Sequence, residues 1–66
     1  MKLIKVNGEE KETVSMFVSE FLEELSIDPR PVAIELNREI LPKKDYKTTI
    51  LNDGDQLEIV WFVSGG

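Results

Sequence analysis

The chain has 66 residues, 41% of them hydrophobic, and contains neither cysteine nor histidine. A chain this short buries only about 60% of the surface that its unfolded form exposes, so residues 1–66 are expected to form one domain around one apolar core. The absence of histidine and cysteine excludes disulfides, Ser–His–Asp and Cys–His catalysis, and the usual zinc ligand sets. We therefore expect no metal site and no catalytic side chain of these kinds.

Thirteen Asp and Glu residues against eight Lys and Arg residues give a net charge of −5. Nucleic-acid binding requires a basic surface, and an anionic membrane repels an acidic chain, so we expect neither as a partner. The sequence shows no apolar run long enough to span a bilayer and no signal peptide, which indicates a cytoplasmic location. A partner protein with a basic docking face fits the charge best.

The first twelve residues predict a β-hairpin. Alternation over Met1–Val6 predicts a strand that places Leu3 on the face opposite the core residues. Asn7-Gly8 predicts a type I′ turn, which requires positive φ at both central residues. Glu9–Glu12 then returns as a second strand, and its charge predicts an exposed position at a sheet edge.

Helical periodicity is clearest over Thr13–Ile27, with Thr13 as the expected N-cap. Asp28-Pro29-Arg30-Pro31 ends this helix, because a residue that precedes proline is disfavoured in the α region. The apolar stripe could bind a partner, but packing on a sheet is the better interpretation. Its members are Val14, Phe17, Val18, Phe21, Leu22 and Leu25.

Two further strands follow the helix. Val32–Asn37 alternates again, and a turn leads from it into the short strand Ile40-Leu41. Pro42 ends this strand, since proline is tolerated at edges and ends rather than inside a sheet. A turn is also predicted at Asn52-Asp53-Gly54-Asp55.

A polar connection over Lys43–Lys47 precedes that turn, with Tyr46 as an expected anchor to the core. Lys43 and Lys44 could form a small anion site. Two lysines in a loop are more often simply solvated, so this site is the weaker interpretation.

The final strand, Gln56–Val63, is the most apolar segment and is expected next to the first strand within the sheet. Its alternation predicts that Leu57 and Ile59 face the helix while Val60 and Phe62 face outward. Adjacent exposed apolar side chains indicate docking. We therefore predict a partner-binding patch where the strand ends; the alternative is that Phe62 or Trp61 folds over the sheet edge. The residues assigned to partner binding are Leu3, Val60, Phe62 and Val63.

The sequence ends with Ser64, Gly65 and Gly66. Glycine has no Cβ and adopts conformations closed to other residues, so this segment can enter a narrow cleft. The carboxylate of Gly66 is ionised at neutral pH, because the pKa of a terminal carboxyl is about 3.3–3.7. We interpret the segment as a flexible tail over residues 64–66 that presents this carboxylate; the alternative is an inert frayed terminus.

Together these segments resemble the small sulfur-carrier proteins of the ubiquitin-like β-grasp superfamily, most closely the ThiS carriers of thiamin biosynthesis. The resemblance covers nearly the whole chain. No single segment is specific, but an Asp-Gly-Asp turn, an apolar strand and a terminal diglycine form a strong combination in so short a chain. It implies an α+β fold: a mixed sheet of four to five strands with one main helix packed on one face. The matching segments are Val6–Glu9, Thr13-Val14, Val32–Asn37, Glu39–Pro42, Asn52–Asp55 and Ser64–Gly66.

The resemblance also implies a mechanism in which Gly66 is the reactive residue. An adenylating enzyme activates the Gly66 carboxylate with ATP, and a protein sulfur donor then converts it to a thiocarboxylate. Thiazole synthase receives the sulfur. The protein is thus expected to be a carrier rather than an enzyme, to bind no cofactor, and to be a monomer when free.

One position departs from the family pattern, because Arg38 stands where glycine is common after Asn37. The turn there is expected to differ in type, with Arg38 free to contact a partner. Three other functions stay open: a small subunit of molybdopterin synthase, a protein modifier conjugated through Gly66, and an interaction module with an inert tail.

Overall fold

The computed structural model describes residues 1–62. Alternating apolar and polar residues form five strands, and one short helix packs on the sheet that they make. Val63, Ser64, Gly65 and Gly66 lie outside the described residues. No helix within residues 1–62 is long and apolar enough to cross a bilayer. The elements are β1 (Lys2–Val6), β2 (Glu9–Thr13), α1 (Val18–Glu24), β3 (Val32–Leu36), β4 (Glu39–Leu41), a 3-10 turn (Lys43–Asp45) and β5 (Gln56–Trp61).

The strands form one mixed sheet in the order β2-β1-β5-β3-β4. β1 and β5 are parallel, whereas β1–β2, β3–β5 and β3–β4 are antiparallel. The acidic strand β2 lies at one edge, as its charge predicted. β5 lies in the centre of the sheet and pairs with β1 on one side and β3 on the other. The expected α+β arrangement of a five-stranded mixed sheet with one helix is therefore confirmed.

The core lies between α1 and the inner face of the sheet. The predicted inward positions of β5, Leu57 and Ile59, are both buried, and so is the predicted anchor Tyr46. These side chains pack with Phe21, the largest fully buried residue of the helix. The other buried apolar side chains are Ile4, Val6, Val18, Leu22, Val32, Ile34 and Leu51.

The helix begins later than predicted. Thr13 is the last residue of β2 and not an N-cap, and Val14 is 79% exposed instead of lying on the apolar stripe. The reason is tertiary: Phe17 forms an antiparallel bridge with Ile50, which holds the preceding residues in an extended conformation. The first turn is capped from inside the helix, where Glu20 Oε1 accepts hydrogen bonds from the Met16 and Phe17 amides at 2.9 and 3.0 Å.

Two tight turns have the same backbone conformation. Asn7 and Gly8 have φ of 48° and 87°, which confirms the predicted type I′ hairpin. Asn37 and Arg38 have φ of 52° and 71°, so this turn also has positive φ at both central residues. The expectation of a different turn type was wrong, because the strand ends impose the left-handed conformation on Arg38.

We expect Arg38→Gly to raise the free energy of unfolding by about 1 kcal/mol. The left-handed conformation costs a residue with a Cβ roughly 1–2 kcal/mol, and glycine avoids this cost. The larger conformational entropy of glycine in the unfolded chain cancels part of the resulting stabilisation. Gly8→Ala is the matched opposite, since a Cβ at Gly8 meets no atom within 4 Å and only the backbone conformation opposes it. Urea denaturation should show the two variants shifting in opposite directions; equal signs would contradict this account.

Candidate functional site

The candidate site is the C-terminal end of β5, where the chain leaves the sheet toward residues 63–66. On one side β5 pairs with β3 over its last residues, from Leu36 opposite Leu57 to Val32 opposite Trp61. On the other side the parallel pairing with β1 is short and stops at Val6 opposite Leu57. The outer half of β5 therefore requires other partners on its β1 side.

The Asn7 side chain supplies those partners. Its Oδ1 accepts a hydrogen bond from the Ile59 amide at 2.6 Å, and its Nδ2 donates to the Ile59 carbonyl at 3.1 Å. One side-chain amide thus continues the ladder beyond the end of β1. The sequence pattern indicates only a turn at Asn7, and this contact was not predicted, although a side chain that has both a donor and an acceptor can make it.

Asn37 repeats the arrangement at the start of β5. Its Oδ1 accepts from the Gln56 amide at 2.9 Å, and its Nδ2 donates to Asp55 Oδ1 at 3.0 Å. Asn7 and Asn37, which both have a left-handed backbone conformation, therefore bind the central strand through their side chains. The strand that leads to the tail is therefore held at Gln56 and Ile59 by side chains as well as by its neighbouring strands.

The last backbone hydrogen bond within the described residues is made by Phe62, whose amide donates to the Pro31 carbonyl at 2.8 Å. Pro31 directly precedes β3, so this bond lies at the end of the sheet that is next to the C-terminus of α1. The predicted tail, Ser64–Gly66, and the predicted contact residue Val63 begin beyond this point. Their roles stay predictions.

The outward register predicted for the final strand is correct. Val60 is 46% exposed and Phe62 is 61% exposed, on the face opposite the helix. Trp61 is 52% exposed, so neither aromatic side chain closes over the core, contrary to the alternative interpretation. Val60 lies opposite Ala33 of β3, which extends the apolar surface across the strand pair. We call Val60, Phe62 and Ala33 the exit patch.

Leu3 does not belong to the exit patch. It is 45% exposed on the same face, as predicted. However, β1 runs parallel to β5, and the Gly54 amide donates to the Leu3 carbonyl at 2.8 Å. Leu3 therefore lies level with Gly54, six positions before Val60, which is roughly 20 Å at about 3.3 Å per residue. The prediction that Leu3, Val60 and Phe62 form one patch was wrong. Alternation predicts which face of a strand a side chain occupies, but it does not predict which ends of two neighbouring strands lie together.

Two carboxylates lie beside the exit patch. Glu35 of β3 is directly opposite Glu58 of β5, and like charges in this position oppose strand pairing. Lys5 and Arg38 line a cleft of about 260 Å³ together with these two carboxylates. An apolar surface bordered by paired carboxylates suits a partner that presents an apolar contact and a cation.

Comparison with known proteins gives one consistent family. The family model described as the ThiS family matches residues 4–66. The crystal structure of a ThiS thiamine biosynthesis protein from Geobacter metallireducens superposes with a TM-score of 0.83 at 31% identity, over 97% of this chain and 99% of that one. This likeness confirms the β-grasp fold.

Curated relatives differ in length. The sulfur carrier protein ThiS of Thermus thermophilus is 31% identical over 97% of this chain and 100% of its own length. A thiazole synthase from Paramagnetospirillum magneticum is 52% identical over all of this chain, which spans only 20% of that protein. The 66-residue unit thus occurs both alone and as about a fifth of a longer relative. The chain belongs to the ThiS family.

Proposed function

We propose that this protein is a sulfur carrier of thiamin biosynthesis that works through the carboxylate of Gly66. The observation that carries the proposal is the family match, which extends through the diglycine to residue 66. The geometry supports it, because β5 is the central strand, paired with β1 and β3, and gives the tail a fixed point of departure. The chain's own contribution is binding and presentation, since it has no histidine or cysteine for catalysis.

The chemistry begins with activation of a poor electrophile. In an adenylating enzyme, a Gly66 carboxylate oxygen attacks the α-phosphate of ATP, and pyrophosphate leaves. The terminal sulfur of a protein persulfide then attacks the acyl carbon of the adenylate, and AMP leaves with the bonding electron pair. A thiol cleaves the remaining S–S bond and releases the Gly66 thiocarboxylate. Gly65 and Gly66 suit this task because they place no side chain between the carboxylate and the phosphate.

Thiazole synthase is the proposed acceptor of the sulfur. The support is that a relative named thiazole synthase contains a segment 52% identical to this whole chain. Joining two proteins in one chain makes their encounter intramolecular and raises the effective concentration, an advantage only if the two units act on each other. The carrier is proposed to meet the adenylating enzyme, the sulfur donor and thiazole synthase in turn, as a monomer in the cytoplasm.

Mass spectrometry of the intact protein tests the carrier function. Incubation with an adenylating enzyme from the same source, ATP and a persulfide donor should add the mass of one oxygen-to-sulfur exchange. Omission of ATP should abolish the change, because the carboxylate is not electrophilic enough to accept sulfur directly. Unchanged mass in the complete mixture would contradict the proposal.

The protein that accepts the sulfur distinguishes the remaining functions. Delivery of sulfur to thiazole synthase supports the thiamin pathway, whereas delivery to a molybdopterin synthase subunit supports the molybdopterin pathway. Adducts linked through lysine would indicate a protein modifier instead.

A substitution in the exit patch tests how the enzyme holds the carrier. Phe62→Asp is expected to weaken binding to the adenylating enzyme by about tenfold or more, because a charge replaces an apolar contact at the interface. Its free energy of unfolding should change by only about 0.5 kcal/mol, since Phe62 is largely exposed. Calorimetric titration and urea denaturation measure the two effects separately.

Leu3→Asp is the matched control for this experiment. Leu3 has a similar apolar side chain on the same sheet face but lies at the other end of β5. Binding should therefore stay within about twofold of the original protein. Equal losses in the two variants would show that the whole face docks, and unfolding by Phe62→Asp would show that the register at the end of β5 is wrong.

A further inference from the structure

A groove of about 700 Å³ lies between the C-terminal half of α1, the loop before β3 and the 3-10 turn. This volume is within the range of about 300–1,000 Å³ that ligand sites occupy. We call its apolar lining residues, Leu22, Ile27, Pro29 and Tyr46, the floor of the groove. Burial raises the pKa of the Tyr46 hydroxyl, and the nearby Ile34 backbone offsets the rise only in part.

The border of the groove is basic, although the chain is acidic. Half of the eight cationic residues of this protein line it: Arg30, Lys43, Lys44 and Lys47. Glu23 is the acidic residue among the lining side chains. The chain carries a net charge of −5, so this concentration of cations is a local feature that overall composition does not produce.

Two of these cations have partners within the chain, and the other two are available to a ligand. The Arg30 guanidinium forms an ion pair with Asp28 at 2.7 Å. Hydrogen bonds from the side chain and the backbone amide of Arg30 lower the pKa of Asp28 to about 2. Lys43 Nζ donates to the Arg30 carbonyl at 2.6 Å, which ties the 3-10 turn to the loop before β3. Lys44 and Lys47 are exposed and make no side-chain hydrogen bond or ion pair with the residues that the structure describes.

The floor is fixed by backbone hydrogen bonds. The Ile27 amide donates to the Leu22 carbonyl at 2.9 Å, which ends α1 with Ser26 in the left-handed conformation. The Ser19 amide donates to the Tyr46 carbonyl at 2.9 Å and joins the helix to the 3-10 segment. The groove is thus formed before any ligand binds, which lowers the entropy lost on binding.

We propose that this groove binds an acidic peptide segment of a partner protein, with an apolar side chain of the peptide on the floor and carboxylates at Lys44 and Lys47. The apolar floor favours a peptide over a small inorganic anion, which would leave that surface bare. Charge complementarity selects acidic residues on either side of the apolar one. Recognition of this kind does not depend on sulfur chemistry and so goes beyond the carrier function.

The position of the groove links it to the tail. Pro29 and Arg30 line the groove, and Pro31, the next residue, accepts the Phe62 amide hydrogen bond. A protein that receives the tail can therefore occupy the groove at the same time. Such a second contact would orient the carrier, whereas the exit patch lies on the opposite sheet face.

Nuclear magnetic resonance of the ¹⁵N-labelled protein tests the proposal with the blocked peptide DELLDE. Amide shifts are expected near Ser19, Leu22, Lys44 and Lys47. The neutral peptide NQLLNQ should bind about tenfold more weakly, because it lacks the carboxylates, and DESSDE similarly, because it lacks the apolar anchor. Salt of about 0.15 M limits long-range attraction to roughly 8 Å, so shifts reflect local contacts.

Paired variants complete the test. Lys44→Gln/Lys47→Gln should weaken DELLDE binding about tenfold, whereas Lys5→Gln/Arg38→Gln removes the same charge elsewhere and should change it less than about twofold. Unchanged spectra away from the substitutions show that the fold is intact. Equal loss in both variants, no localised shifts, or inorganic phosphate that binds the same residues as tightly as DELLDE would each overturn the proposal.

Discussion

Deletion of Gly66 is expected to reduce sulfur loading of this protein by at least about a hundredfold. Removal of one residue withdraws the terminal carboxylate by roughly 3.5 Å along an extended chain. A displacement of only about 1 Å at a reacting centre can cost around a hundredfold in rate, because the attacking oxygen no longer reaches the phosphorus in line. The rate of pyrophosphate release with the adenylating enzyme measures the first step, and the intact mass measures the product.

Gly66→Ala is the informative companion to the deletion. It keeps the carboxylate at the same distance along the chain and adds only a Cβ. Sulfur loading of Gly66→Ala should fall less than that of the deletion if the position of the carboxylate matters most. The two losses should be comparable if the enzyme's site has no room for a side chain. Binding of either variant through the exit patch should persist, since Val60 and Phe62 are unchanged. Full loading after deletion of Gly66 would show that sulfur is attached elsewhere.

Strand positions and faces could be predicted because they depend on local alternation. The buried positions of β5 follow from Glu58, a charged residue that must face water between two apolar neighbours. The glycine turn at Gly8 is equally local, since only the backbone of the turn decides it. These features required no knowledge of the neighbouring strands.

The errors at Thr13 and Leu3 concern features that distant residues decide. Thr13 has the pattern of an N-cap, but the bridge from Phe17 to Ile50 delays the helix and leaves Thr13 buried at the end of β2. Leu3 lies on the predicted face of the sheet but at the opposite end from the exit patch, because the topology makes β1 parallel to β5. In both cases the sequence contains the local preference and the tertiary contact overrides it.

The basic groove shows the same limit at a second candidate site. Lys43 and Lys44 by themselves suggested ordinary solvated lysines. The fold brings Arg30 to them across thirteen positions of sequence, through the Lys43 hydrogen bond to its carbonyl. It also places an apolar floor beneath them. A cluster of charges becomes a specific surface only when it borders such a floor, and the sequence does not show which loops will meet.

Asn7→Ala is expected to lower the free energy of unfolding by about 2–4 kcal/mol. The substitution removes both hydrogen bonds to the Ile59 backbone, and partly buried groups that lose their partners cost roughly 1–3 kcal/mol. A further cost of about 1 kcal/mol arises because alanine must keep φ near the 48° of Asn7. A domain below about 70–80 residues rarely has more than about 3–5 kcal/mol in total, so much of the variant should unfold.

Two further substitutions separate the causes of this loss. Asn7→Gly keeps the left-handed conformation accessible, so it should recover about 1 kcal/mol relative to Asn7→Ala. Asn37→Ala removes one hydrogen bond to the Gln56 backbone and one to the Asp55 side chain, both exposed at the start of β5, and should cost less. Thermal unfolding resolves these differences, since about 1 kcal/mol corresponds to roughly 4–8 °C in a domain of this size. Equal stability of Asn7→Ala and the original protein would mean that water replaces the side-chain amide and that the outer half of β5 is held by β3 alone.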